Sequence, residues 1–285
     1  MASQPVDVKS LLNRHQEPNA IEAQLIDILD PALNAASAPT AQTAESVARS
    51  VDDLYASGYA SEDKAESLFW TLWTLYIEVA KRVPADDDAR QQFLVHAIDK
   101  LRARDRGTVK VWGSDTPVWG DLSMLAPCMR EAWNFGRFQV TPKFDGSEQD
   151  KAAVQSWINL NSFAARLLGA SVTTWTNFAL WALREGLEDE PQNDAARDGY
   201  LAVAHEWIAH AGKVLYEKGR TSEELGDADR RVLKPGKLFE GEPGFSIQRW
   251  QFWRQRLETL GKDAGSEELK AKVHKTVDTM KSLEG

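Results

Sequence analysis

A carboxylate stands within an apolar helical stripe in the stretch 119–138. At helical spacing, one face of this stretch presents Met124, Cys128, Glu131, Phe135 and Phe138. A carboxylate in such a stripe must be protonated or paired with a cation, and Arg166 is the cation that we expect. We therefore predict a buried Glu131, which is either half of an ion pair that fixes the order of the helices or a catalytic acid–base group with a raised pKa.

Further polar residues near this stripe and in the apolar segments are candidates for substrate binding. Arg130 and Asn134 share the helix face next to Glu131. Asn161 and Asn177 lie in helical segments that are otherwise largely apolar. Their amides either satisfy neighbouring backbone groups or bind a ligand, and the sequence leaves both alternatives open.

His210 is the second candidate for acid–base catalysis, in the segment HEWIAH. This segment resembles the zinc-binding pattern H-E-x-x-H, but its second histidine follows His205 by five residues instead of four, so the two rings point about 140° apart. Glu206 and His210 have the i,i+4 spacing of an ordinary helix-surface pair. Because His210 also continues an apolar stripe, it is either a core histidine or a catalytic residue. We predict no metal site and no cofactor.

Tryptophan is unusually frequent, with eleven residues against ten phenylalanines and five tyrosines. An indole ring is large and carries one hydrogen-bond donor, so this composition indicates thick helix packing, an aromatic-lined cavity, or both. The tryptophans that would line a cavity between helices are Trp133, Trp157, Trp175, Trp181 and Trp207.

The segment from Trp157 to Leu183 would position most of these residues. It reads as two helices, joined near Gly169, that are apolar on nearly every side, and such helices are buried. We predict an all-α fold: a single globular bundle of about ten helices around a central buried pair near 150–185, with no sheet. Residues 109–112 alternate in polarity, but four residues do not make a sheet.

The domain organisation follows from the chain's composition. Residues 31–44 are rich in Ala, Ser, Thr and Pro and carry no charge, which is typical of a linker. We predict an N-terminal arm with short helices, partly flexible, over residues 1–42, and a single all-helical domain over residues 43–285.

Charge and cysteine content limit the partners and the compartment. The net charge of −9 argues against a nucleic-acid partner. The single cysteine, Cys128, excludes an intramolecular disulfide, and the N-terminus lacks the apolar segment of a secretory signal, so we expect a cytoplasmic protein. The longest uncharged run, Leu167–Leu183, contains glycine and several polar residues and is better explained as a buried helix than as a membrane span.

Several sequence blocks together resemble a protein family. They are LFWTLWTLYIEVAKRV, VWGDLSMLAPCMREAWN, WINLNSFAARLLGASVTTWTNFALWALREGLE, WIAHAGKVLYEKG and LKPGKLFEGEPGFSIQRWQFWRQRLETL. In this order they resemble a large family of fungal proteins that is described only as a domain of unknown function, over about residues 45–283. The resemblance implies an intracellular, all-helical protein and implies no activity.

Two functional hypotheses remain open, and they leave open whether the protein is an enzyme. In the first, a tryptophan-lined pocket between helices binds, and in one version transforms, a small apolar metabolite; the fungal resemblance suggests secondary metabolism by analogy. In the second, the protein is a non-catalytic interaction or scaffold protein, in one version a homo-oligomer, whose tryptophans are structural core.

Overall fold

The computed structural model describes residues 4–14, 19–136, 147–221 and 224–285. These residues contain eleven α-helices and one two-stranded antiparallel sheet, which confirms the predicted all-α class. The chain divides into two compact units, residues 1–137 and residues 138–285, each of which is described by itself. No helix in the described ranges is long and apolar enough to span a membrane.

The first unit contains five α-helices and the sheet. After a short 3-10 helix over Lys9–Arg14, the elements are α1 (Ala20–Leu33), α2 (Ala41–Gly58), α3 (Glu62–Ala80), α4 (Asp88–Arg102), β1 (Thr108–Val111), β2 (Ser114–Pro117) and α5 (Leu125–Gly136). Leu68, Leu72, Leu75 and Val79 form a fully buried apolar stripe on α3. Trp73 on the same helix donates its indole N–H to the carbonyl oxygen of Ser123 at 2.7 Å. Helix α1 contains Pro31 and continues two residues past it.

The hairpin β1–β2 is the part of the fold that the sequence did not predict. Its two-residue turn, Trp112–Gly113, has positive φ angles of 50° and 76°, as a tight turn between antiparallel strands requires. Asparagine or glycine is the usual residue at such a position, and a tryptophan there gives no hairpin signal. The Trp112 side chain is 61% exposed.

A buried carboxylate ties the segment around this hairpin to α2. Asp52 accepts two hydrogen bonds of 2.8 Å from the Arg106 guanidinium and one of 2.9 Å from the Trp119 indole N–H. Burial alone would raise the pKa of Asp52, but these hydrogen bonds and the charges of Arg106 and Arg104 outweigh it and lower the pKa. Asp52 is therefore ionised, and its charge is neutralised inside the unit.

The second unit is built around its longest helix. Its elements are α6 (Glu148–Gly169), α7 (Thr176–Leu187), α8 (Asp194–Arg220), α9 (Asp227–Val232), α10 (Ile247–Leu260), a 3-10 turn (Gly261–Asp263) and α11 (Glu267–Glu284). Helix α8 packs against α6, α7, α10 and α11. The predicted burial of α6 is confirmed, since residues 159–168 are all buried, whereas α7 is buried along one side only.

An ion pair with no exposed surface joins α7, α10 and the loop 233–246. The Arg249 Nε donates to Glu188 Oε1 at 2.6 Å and its Nη2 to Oε2 at 2.9 Å. Glu188 also accepts the Trp253 indole N–H at 2.6 Å and the Gly236 backbone N–H at 2.7 Å. Because both charges are fully hydrogen-bonded, this Gly- and Pro-rich loop is held in one position.

Candidate functional site

The prediction of a buried Glu131 is wrong. Glu131 is exposed on α5, and so are Arg130 and Asn134. The buried side of α5 presents Leu125, Cys128, Met129 and Trp133, so its apolar face shares Cys128 with the stripe that we proposed but is rotated away from Glu131. Of that stripe, Phe138 lies outside the described residues, and the side chain of Phe135 is likewise not described.

The expected partner of Glu131 lies in the other unit. Glu131 belongs to the first unit, whereas Arg166 is a buried residue of α6 in the second. Both roles predicted for Glu131 required its burial, and its position on α5 is exposed. Cys128, three residues before Glu131, is buried, and this burial raises the pKa of its thiol to about 11, so the thiol stays protonated at neutral pH.

The buried amide of Asn161 is satisfied within the protein. Its Nδ2 donates to the carbonyl oxygen of Trp157 at 2.8 Å, and its Oδ1 accepts the indole N–H of Trp207 on α8 at 2.7 Å. Both partners are themselves buried. The sequence left open whether this amide satisfies groups of the protein or binds a ligand. Its hydrogen bonds are those of a core residue that links α6 to α8.

A chain of buried polar groups runs from α6 to α8 beside this amide. Arg166 Nε donates to the hydroxyl oxygen of Ser162 at 3.3 Å, and Ser162 hydrogen-bonds to the Glu206 carboxylate. Glu206 Oε2 lies 3.3 Å from His210 Nε2. Ser162 and Glu206 are buried, whereas His210 is partly exposed, so the histidine is the end of the chain that faces solvent.

The charges of this chain follow from its contacts. Burial would raise the pKa of Glu206, but the contacts with His210 and Ser162 and the nearby His205 outweigh it and lower the pKa, so the carboxylate is ionised. His205 Nδ1 lies 2.8 Å from the Thr276 hydroxyl oxygen, and that hydroxyl donates to a backbone carbonyl, so the His205 Nδ1 carries the proton. Burial is the main cause of the lowered pKa of His205, with Lys272 and Lys275 adding to it.

The close approach of α6 to α8 places His210 at the end of α6. A Cβ atom added to Gly169 would overlap the carbonyl oxygen of His210. Only glycine allows the two backbones to come this near.

Sequence reasoning missed three members of this cluster: Ser162, His205 and Glu206. We assigned Glu206 to a surface pair, whereas it is buried. One signal was present in the sequence: if α6 is apolar all round, then any polar residue on it, Ser162 included, must find a partner inside the protein.

The tryptophans proposed as pocket walls are distributed over four helices, α5 to α8. Trp157 and Trp207 are buried beside Asn161, and Trp133 is buried in α5 of the first unit. Trp175 and Trp181, at the start and middle of α7, are half-buried and pack edge-to-face on Phe178 between them. The Trp181 indole N–H donates to the carbonyl oxygen of Val232 at 3.0 Å, and Asn177 lies half-buried on the same helix.

Three clefts lie elsewhere in the described ranges. One of about 620 Å³, in the first unit, lies between the segment 34–39 and Arg90, and one of about 220 Å³ lies between the ends of α7 and α8 and the segment 243–245. The third, of about 550 Å³, lies between α10 and α11. None of the three is lined by the five tryptophans. Across the described part of the chain, no group of three His, Cys, Asp or Glu side chains could hold a metal ion.

Comparison with known proteins identifies a family. Residues 73–257, more than half of the chain, match a family described as a protein of unknown function, DUF3632. The chain belongs to this family. No curated protein matches it, and no solved structure does.

The DUF3632 match includes α6, α7, α8 and the polar chain between them, and it ends at residue 257 in α10. Helix α11 lies outside the matched range. The resemblance noted from the sequence blocks is thereby confirmed as a family of unknown function, and membership supplies no activity.

Proposed function

We propose that this DUF3632 protein binds a small, largely apolar molecule at the outer surface of its second unit, and that its buried tryptophans build the core. The observation that carries the proposal is that the polar groups of three of the residues predicted to line a pocket are already hydrogen-bonded within the protein. Trp207 and Trp181 donate their indole N–H groups to protein oxygens, and the Asn161 amide is bonded at both ends. A ligand among them would have to replace these bonds, and a buried polar group left unsatisfied costs about 1–3 kcal/mol.

A surface cleft of the size that ligands require supports the other half of the proposal. Ligand pockets in proteins are typically about 300–1,000 Å³, mostly apolar, with a few polar groups that fix orientation. The cleft between α10 and α11 has about 550 Å³ and combines valine and leucine side chains with charged residues at its edges.

A thermal-shift screen tests the proposal, with a panel of alkanols, aliphatic carboxylates and aromatic acids as probes. At least one probe should raise the melting temperature of the native protein, because binding to the folded state stabilises it. A surface ligand should raise the melting temperature of the Asn161→Leu variant by the same amount. If no probe stabilises the protein, or if the stabilisation depends on Asn161, the proposal is wrong.

Acid–base catalysis at His210 is a second candidate function, and one observation favours it. A buried, ionised carboxylate, Glu206, lies beside one ring nitrogen of a histidine whose side chain is 24% exposed. Such a carboxylate orients the ring for proton transfer at its other nitrogen, with Arg166 and Ser162 behind it. The test is whether a molecule found in the screen is chemically changed by the native protein and left unchanged by His210→Gln.

An interaction or scaffold function is favoured by Trp112. A large aromatic side chain with 61% exposure at the end of a hairpin is typical of a residue that packs against a partner. If a homo-oligomer forms through this residue, size-exclusion chromatography with light scattering should show dissociation in Trp112→Asn. An unchanged oligomer, or a monomer in both proteins, removes this version of the proposal.

The biological setting is also a proposal. A single, buried cysteine suits a reducing compartment, and this supports a cytoplasmic location. Fungal origin and a place in secondary metabolism rest on the sequence resemblance alone. Imaging of a fluorescent fusion checks the location, and enrichment in a membrane or secreted fraction would contradict it.

A further inference from the structure

A groove between the last two helices has an apolar bottom. Leu257 of α10 and Val273 and Val277 of α11 lie along it. The two valines are one helical turn apart and so lie on the same face of α11. The turn after α10 closes one end, because a Cβ added to Gly261 would lie 2.6 Å from Val273 Cγ1. An extended hydrocarbon chain is the shape that such a narrow apolar strip accommodates.

Of the two acidic groups at the edge of this groove, Glu258 is neutralised by its neighbours. It lies between Lys281, at 2.9 Å, and Arg254, at 3.3 Å, and its contact with Lys281 is the main cause of its lowered pKa. Asp278 lies 3.0 Å from His274 Nδ1, and this contact is an ion pair only when the histidine is protonated. Glu258 therefore presents no uncompensated negative charge to a molecule in the groove.

The basic groups at the edge leave one charge without a partner. Lys281 pairs with Glu258, and Lys270 pairs with Glu267 at 2.9 Å. Lys262, which is exposed in the turn after α10, makes no ion pair within the described part of the chain. In a protein with a net charge of −9, the groove is therefore an apolar strip that ends at a free cation.

We propose that this groove binds a single-chain aliphatic carboxylate, with the hydrocarbon chain along Leu257, Val273 and Val277 and the carboxylate at Lys262. The proposal rests on the proposed function and names the chemistry of its ligand. The volume of about 550 Å³ suits one small molecule.

Isothermal titration of the full chain with dodecanoate, kept below the concentration at which micelles form, tests this assignment. We expect saturable binding at one site. Decanoate, shorter by two methylenes, should bind roughly fifteenfold more weakly, because each buried methylene contributes about fourfold in affinity. Dodecyltrimethylammonium, with the same chain and the opposite charge, should bind more weakly than dodecanoate.

A pair of matched charge reversals locates the carboxylate. Lys262→Glu should weaken dodecanoate binding by roughly threefold to thirtyfold, as expected for reversing one exposed ion pair. Lys237→Glu makes the same change on the exposed loop 233–246, away from the groove, and should leave the affinity within twofold. Both lysines are exposed, and circular dichroism should show both variants folded.

Three results would overturn the assignment: tighter or equal binding of dodecyltrimethylammonium, equal effects of the two lysine variants, and uptake only near the micelle-forming concentration. Binding of anionic vesicles without binding of monomeric dodecanoate would assign the groove to a membrane surface and overturn it as well. If a neutral probe stabilises the protein in the thermal screen and dodecanoate does not bind, this assignment fails while the proposed function stands. If no probe binds at all, both fail.

Discussion

Replacing Arg249 by methionine should destabilise the second unit by about 3–5 kcal/mol, because it breaks a fully buried ion pair. All five N–H donors of Arg249 are in use. Two donate to Glu188, and the others reach the carbonyl oxygens of Leu233, Gly244 and Lys234 at 2.8–3.2 Å. Methionine keeps much of the side-chain volume and provides none of these donors.

The size of the effect comes mainly from the carboxylate that remains. In the variant, Glu188 keeps the Trp253 and Gly236 N–H groups but loses its only cation in the described part of the second unit. Removing one partner of a buried pair leaves an uncompensated charge, and the three released carbonyls add to the cost. Since a domain's total stability is about 5–15 kcal/mol, the loss is a large fraction of it.

Two measurements check this prediction. Urea unfolding followed by circular dichroism should show a midpoint lower by roughly 1 M or more, for a slope of about 3 kcal/mol per M. Limited trypsin digestion should show faster cleavage after Lys234 and Lys237, because the loop 233–246 loses its anchor. Arg249→Lys, which keeps the charge but not the planar five-donor geometry, should fall between the native protein and Arg249→Met.

A double variant separates the effect of the unpaired Glu188 charge on stability from the effect of replacing the Arg249 side chain. Glu188→Gln combined with Arg249→Met removes both charges, so its loss of stability should be smaller than the sum of the two single losses. The reasoning is refuted if Arg249→Met costs less than 1 kcal/mol and leaves the trypsin pattern unchanged.

Three further predictions concern other parts of the fold. Gly169→Ala should lower the free energy of unfolding in urea by about 1–3 kcal/mol, because the added Cβ meets the backbone of His210. Gly58→Ala, with nothing within 4 Å of the added Cβ, should lower it little. Equal losses in the two variants would contradict the close approach of α6 to α8. Asp52 has a lowered pKa in the folded protein, so the stability that it contributes is present above its unfolded pKa of about 3.9 and is lost as the pH falls below that value. Asp52→Asn should therefore be less stable than the native protein at pH 7 and should lose less stability between about pH 5 and pH 3. Parallel curves of stability against pH for the two proteins would argue against this. Trp112→Asn should raise stability by up to about 1 kcal/mol, because asparagine tolerates a φ of 50° better than tryptophan does, and a loss would mean that the exposed ring has a structural contact.

The helices with strong local signals could be predicted from the sequence. Ser147 and Ser246 cap α6 and α10 by accepting hydrogen bonds from backbone N–H groups three residues later, and a serine just before a helical run is a sequence signal for such a cap. The continuous apolar character of α6 likewise predicted its burial. Both signals are local, since they depend on spacing within one segment.

Features that depend on the packing of distant segments could not be predicted. Glu131 is exposed because a different face of α5 is buried. The spacing of the apolar residues was compatible with the burial of either face. The Glu188–Arg249 pair joins residues 61 positions apart, and neither stands in a segment whose pattern marks it as buried. Helix α8 has interleaved polar residues, so its central place became visible only from the four helices around it.

The residues singled out between α6 and α8 show the same division. The sequence drew attention to Asn161, Trp207 and His210, and the fold brings them to one helix interface. Their roles depend on which hydrogen bonds are already made within the protein, and no spacing rule contains that information. Arg130, Glu131 and Asn134 belong to the other unit, and a role for them remains a prediction.

The free energy of unfolding of Asn161→Leu tests the central claim most directly. If the buried polar and tryptophan residues are core, leucine removes the acceptor of the Trp207 indole and the donor to the Trp157 carbonyl, and the protein should lose about 1–3 kcal/mol. An unchanged or higher stability would mean that the amide is kept for a ligand, which would contradict a core function for this interface.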